Sequence, residues 1–105
     1  MFHAYSLTLE LLTMLRPVIA EVRRQDRSLA DQLQRAATSV LLNLAEGTGY
    51  RDRSRRRSYA IALGSAREVS AALDAAVALG VVEQLPDAVA DRLDHVQAVL
   101  VRLTR

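Results

Sequence analysis

The chain has 105 residues, half of them hydrophobic, with no cysteine and a formal net charge of +2. That length suits one domain with a small core, and the missing cysteine excludes a disulfide framework or a thiolate metal site. No apolar run approaches the roughly 18 residues that span a bilayer, and the opening "MFHAYSLTLELL" lacks the basic start and cleavage site of a signal peptide. The expectation is a single domain over residues 1–105, soluble and cytoplasmic, with no cofactor and no membrane partner.

The first predicted helix covers about Ala4–Gln25. Leu7, Leu11, Met14, Val18 and Val22 form one stripe, widened by Leu12, Leu15 and Ile19. Pro17 removes a backbone donor inside this pattern, so a kink or a break just before it is expected. Asp26 or Ser28 is a candidate N-cap for the second helix. There Leu29, Leu33, Ala36, Ala37, Val40, Leu41 and Leu44 recur at three and four, and Gly47 stands where a left-handed residue would end the helix. The third helix runs from about Asp52 to Leu79. Tyr59, Ala62, Ala66, Val69, Leu73 and Ala76 make a heptad seam, and Gly80 closes it. Pro86 sits near the first position of a fourth helix, whose seam is Val89, Leu93, Val96, Leu100 and Leu103. Four helices with short connections predict an all-α, antiparallel up-down four-helix bundle. The first helix, and the fourth with Val99 and Val101, are more apolar than one seam requires, which points to a homo-oligomer.

The charge is divided. Arg51–Arg57 holds five arginines and one aspartate, a local +4, whereas the rest has nine arginines against eleven acids. Every Lys or Arg position is Arg, a head group that grips an oxyanion bidentately. Arg51, Arg53, Arg55, Arg56 and Arg57 fall in the turn before the third helix and in its first turn. The helix dipole disfavours cations there, by about 0.3–1 kcal/mol each, while the free N–H groups favour phosphate. One reading is a phosphate-binding surface for RNA or DNA. The other is a solvated turn whose arginines pair with Asp52, Glu46 or a neighbouring subunit. Arg23, Arg24 and Arg27 form a weaker basic cluster at the end of the first helix, where cations serve the dipole. Tyr50, beside the arginines, has the ring to stack on a base.

Asn43, Glu46 and Gly47 read as structural: Asn43 as a polar register-setter, Glu46 as an acceptor for the next turn or a partner of Arg35 or Arg67. Gly64 and Ser65 lie mid-helix, where Gly costs about 1 kcal/mol relative to Ala, so a close helix or subunit approach is expected, with Glu68 meeting an arginine across it. No cleft with convergent titratable groups is legible, so no catalytic residue is assigned and the chain reads as non-enzymatic. His3 and His95 are the only histidines, and His95 with Asp91 and Asp94 does not amount to a metal site.

Gln32, Arg35-Ala36-Ala37, Ser39 and Asn43-x-Ala45-Glu46-Gly47, followed by Tyr59, Ala62, Gly64-Ser65, Glu68 and Leu79-Gly80, span about half the chain. In order and spacing they resemble the bacterial four-helix-bundle family of proteins encoded in intervening sequences of large-subunit ribosomal RNA genes. That family includes the accessory variability determinant of diversity-generating retroelements. The resemblance implies an up-down bundle assembled as a ring, a pentamer being the expected form. It also implies nucleic-acid binding through a basic surface and, for the retroelement members, a reverse transcriptase partner. The alternative to nucleic-acid binding is a scaffold or accessory subunit for such a protein.

Overall fold

A computed structural model describes residues 3–105. They form α1 (His3–Gln25), α2 (Arg27–Thr48), α3 (Asp52–Ala78) and α4 (Asp87–Leu103). Each helix packs on the next, and α4 returns to α1, so the four stand in sequence order around a square. The bundle measures 42 × 24 × 20 Å. Its long axis is the length of α3, because 27 residues at about 1.5 Å each reach some 40 Å.

The connections follow from local chemistry. Asp26 alone separates α1 from α2. Its amide still donates to the Val22 carbonyl, while its carboxylate accepts from the Leu29 amide at 2.9 Å, an N-cap that starts α2 one residue later. At the far end of α3, Gly80 takes φ +73°, a left-handed conformation that needs glycine. The Gly80 amide bonds to Val77 and the Val81 amide to Ala76, and buried Val81 and Val82 seal the end. Pro86 is itself the N-cap of α4, one position before the place expected for it.

The core seams lie largely where the periodicity put them. Tyr59, Ala62, Ala66, Val69, Leu73 and Ala76 on α3, and Val89, Leu93, Val96 and Leu100 on α4, are all buried. On α1 the stripe turns through Leu15 and Thr8, not Met14, which is only half-buried. Thr8 is tolerated inside because its Oγ1 donates to the Ala4 carbonyl at 2.8 Å. Each fully buried leucine (Leu11, Leu15, Leu33, Leu44, Leu73 and Leu100) contributes about 1.5–3 kcal/mol of transfer free energy.

Three expectations are corrected. Of the kink or break expected at Pro17, the break is absent: α1 is continuous from His3 to Gln25. Pro17 and Thr13, whose carbonyl loses its usual partner, are both exposed, so water can supply the missing hydrogen bond. Gly47 does not end α2 in a left-handed conformation; it is a buried helical residue, and Gly49 caps the helix with φ −85°. The apolar excess of α4 is spent inside the bundle, with Val99 buried and Val101 packed on the core.

Candidate nucleic-acid interface

The turn between α2 and α3 is short and well bonded. Gly49 and Tyr50 donate their amides to Glu46 and Gly47, and the Thr48 hydroxyl donates to the Ala45 carbonyl at 2.6 Å. The Tyr50 hydroxyl reaches back to Glu46 Oε1 at 2.8 Å, and Arg55 Nε reaches back to the Tyr50 carbonyl at 2.9 Å. Glu46 thus accepts from the next turn, as one expectation had it, and no ion pair joins it to Arg35 or Arg67 among the described residues. Its negative charge raises the Tyr50 phenol above the usual value of 10.0, first through the hydrogen bond and then through direct repulsion of the phenolate. Asp52 opens α3 at φ +56°, a left-handed conformation that Asp tolerates better than most residues.

These bonds fix where the arginines stand. Arg51 is the N-cap residue of α3 and makes no side-chain cap; Arg53, Arg55, Arg56 and Arg57 occupy the first turns. All five are exposed. Among the described residues none of them forms an ion pair, so of the partners named by the solvated-turn reading neither Asp52 nor Glu46 is engaged. Arg55 is partly committed to the Tyr50 carbonyl. A cleft of about 320 Å³ adjoins the cluster, lined by Asn43, Glu46, Tyr50, Ser54, Arg57 and Ile61. The sequence reading missed Arg102 and Arg105. In an antiparallel bundle α4 points back toward the start of α3, and the Gln97 side chain bonds to the Ala66 carbonyl at 3.3 Å, which sets the register. Both exposed arginines therefore lie toward the same end as the turn; the alternation of helix direction was the signal that could have found them.

Of the remaining motif residues, Asn43, Gly47 and Ser65 lie at the contact between α2 and α3, the most extensive in the bundle. Asn43 Nδ2 donates to the Ser39 carbonyl at 2.9 Å and to its hydroxyl at 3.1 Å, and the Ser39 and Ser65 hydroxyls meet at 2.7 Å. This chain of bonds ties the two helices at one register, a structural role for Asn43 and Ser65. Gly47 serves packing: a Cβ there would fall 2.5 Å from Cε1 of Tyr59 and 2.9 Å from its Cδ1. Gly64 does not mark a close approach within the chain, since a Cβ there would meet nothing within 4 Å. Glu68 shares an outer cleft with Gln32 and Arg35 but makes no ion pair among the described residues.

The weaker basic cluster divides. Arg23 donates to Asp31 at 2.6 Å and to Gln34 at 3.1 Å, so it staples α1 to α2, and this hydrogen bond holds the Asp31 carboxyl below its ordinary 3.8. Arg24 is exposed, and Arg27 belongs to the start of α2, not the end of α1. His95 stacks edge-on against His3, with ring centroids 5.8 Å apart, instead of pairing with Asp91. Among the described residues no three His, Cys, Asp or Glu side chains converge on a metal position, and no helix is long and apolar enough to cross a membrane.

Comparison with known proteins follows the same outline. A solved structure from Bacteroides thetaiotaomicron VPI-5482, a protein of unknown function from the S23 ribosomal protein family, superimposes with a TM-score of 0.85. The match covers 97% of this chain and 98% of that one at 17% identity, a likeness of fold. No curated protein is detectably similar. The family model described as 23S rRNA-intervening sequence protein matches residues 3–102. Four helices in this order, tied across α2 and α3 by the very residues of the sequence motif, and a family match over nearly the whole chain lead to one conclusion: the chain belongs to the 23S rRNA-intervening sequence protein family.

Proposed function

We propose that this chain is a non-enzymatic, self-associating nucleic-acid-binding protein of the cytoplasm that grips phosphates through Arg51, Arg53, Arg55, Arg56 and Arg57. One observation carries the reading: five exposed arginines crowd the start of a helix whose dipole disfavours them, and no carboxylate within the described chain pairs with them. Apart from the bond of Arg55 to the Tyr50 carbonyl, the fold makes little use of that placement, whereas an incoming phosphate meets both the guanidinium groups and the free amides of the first turn. Membership of a family named for insertions in ribosomal RNA is in keeping with it. Contacts of this kind position a protein on a backbone without reading bases, so little sequence preference is expected.

Fluorescence anisotropy on structured RNA and on duplex DNA, across a salt series, tests the reading. Five engaged phosphates give a log–log slope of roughly −4 to −4.5 on duplex DNA. An Arg53/Arg55/Arg56/Arg57→Ser variant is expected to lose most of the affinity and most of the slope, and the ratio of the two targets names the preferred one. Absence of binding at low salt would overturn it. The second reading, a scaffold for a protein such as a reverse transcriptase, then leads, because Leu42 and Ile61 stand 60% and 45% exposed on the outside of α2 and α3.

A further inference from the structure

The cleft beside the arginine turn holds side chains that phosphate binding does not use. Asn43 and Glu46 on α2, with Tyr50 just beyond it, are spaced at three and four residues. Ser58 and Ile61 on α3 repeat that spacing, with Arg57 at their side, so two rows of side chains flank a space of about 320 Å³. That volume lies at the low end of the range for small-ligand sites, roughly 300–1,000 Å³. Ser58 is only 5% exposed, lines the cleft, and forms no hydrogen bond among the described residues. No described polar side-chain atom is both sealed from solvent and unpartnered, so the Ser58 hydroxyl opens on the cleft. Buried hydroxyls are normally paired, and this one has a hydrogen bond to offer to whatever enters. Glu46 accepts at Oε1 from Tyr50, while its Oε2 accepts nothing among the described residues. Asn43 spends its Nδ2 on Ser39 and keeps its amide oxygen as an acceptor.

These groups select a ligand by its edge. A phosphate inside the cleft would meet the Glu46 charge at short range, so the cleft suits a neutral ring instead. The Tyr50 ring and the Ile61 side chain, both partly exposed, offer it apolar contact. A carboxylate next to a hydroxyl calls for two donors with an acceptor beside them. Unpaired guanine has that edge: N1–H and the N2 amino group point the same way, matching the two oxygens of a carboxylate, and O6 adjoins them. Adenine and cytosine present one amino group beside an acceptor nitrogen, and uracil one N–H between two oxygens. We propose that this cleft receives one unpaired guanine of an RNA strand. Glu46 accepts from N1–H and N2, the Ser58 hydroxyl donates to O6, and the base lies against Tyr50. The proposal rests on the phosphate-binding reading above and adds a choice of base to it: the arginines hold the strand, and the cleft reads one residue of it. In a duplex the same guanine edge is spent on its cytosine, so the preference is confined to single strands and loops.

The test is fluorescence anisotropy with short oligouridine strands that carry one central guanosine, inosine, adenosine or cytidine, or none. Wild type is compared with Glu46→Gln and Ser58→Ala, each checked for helicity by circular dichroism. The guanosine strand is expected to bind about tenfold more tightly than the adenosine, cytidine and all-uridine strands. Inosine, which lacks only the N2 amino group, loses most of that advantage, a result that involves no change to the protein. Glu46→Gln brings the guanosine strand back to the level of the uridine strand and leaves the salt slope in place, because the arginines are intact; Ser58→Ala lowers the preference as well. If wild type binds no strand at low salt, the nucleic-acid reading fails and this one with it. If it binds every strand alike with the arginine-dependent slope, the cleft assignment alone is overturned. A guanosine preference that inosine retains in full, or that survives Glu46→Gln or Ser58→Ala undiminished, is read elsewhere on the protein and overturns the assignment too.

Discussion

The contact between Gly47 and Tyr59 makes a quantitative prediction. Tyr59 is only 5% exposed, and its ring lies on the bare Cα of Gly47. In Gly47→Ala the new methyl would sit 2.5 Å from Tyr59 Cε1, 2.9 Å from Cδ1 and 3.3 Å from the Ser58 Cβ. Carbon atoms prefer about 3.5–4.0 Å, so a buried ring must retreat by about 1 Å. Overpacking of this kind costs about 1–3 kcal/mol. Alanine returns at most about 1 kcal/mol of helix propensity, and less so close to the end of α2. The net expectation is a destabilisation of about 1–2 kcal/mol, read as a fall of about 5–10 °C in Tm by circular dichroism. Gly64→Ala is the control, because open space surrounds it and only the propensity gain of about 0.5–1 kcal/mol remains. A Gly47→Ala protein as stable as its parent, or more so, would refute the reasoning: α2 would not need glycine to admit Tyr59.

Three further outcomes follow from named bonds. Asp26→Ala removes the acceptor for the Leu29 amide and is expected to cost about 1 kcal/mol in urea unfolding; no change in midpoint would mean the cap does not hold α2. Ser65→Ala breaks the hydroxyl pair with Ser39, and a double-mutant cycle over both positions is expected to show a coupling of about 1 kcal/mol, whereas simple additivity would sever the proposed tie between the helices. Tyr50 titrates above 10.0 because Glu46 accepts its proton-bearing hydroxyl and repels the phenolate; Glu46→Gln is expected to bring the ultraviolet-monitored transition back toward 10.0, and an unmoved transition contradicts the contact. The sign for stability is that of an acid whose folded pKa is raised. The protonated form is favoured by the fold, so the contribution is complete below about pH 10 and is lost as pH climbs through the folded value.

Much of this architecture is contained in the order of the residues. Leu7, Leu11, Val18 and Val22, the α3 seam from Tyr59 to Ala76, and the α4 seam from Val89 to Leu100 recur at the helical period, and burial follows period wherever a helix has one wet side. Asp26 and Gly80 announce two of the three turns, because an N-cap acceptor and a left-handed glycine act within four residues of themselves. The charge of the Arg51–Arg57 turn is likewise a property of the sequence alone.

What the sequence left open depends on residues far apart in the chain. Gly47 reads as a helix end until Tyr59 is seen lying on it, because a glycine kept for space and one kept for φ are identical in sequence. Gly64 reads as a site of close helix or subunit approach, and the fold removes the first of these, since no described residue comes within 4 Å of a Cβ placed there. Pro17 threatens a break, but packing on both sides of α1 outweighs one missing hydrogen bond on a wet face. Arg23 becomes a staple only because the one-residue link at Asp26 folds α2 back and brings Asp31 within reach. Period and caps are short-range and can be read along the chain; which side chains meet, and which arginines are left without a partner, is decided only when four helices take their places around one core.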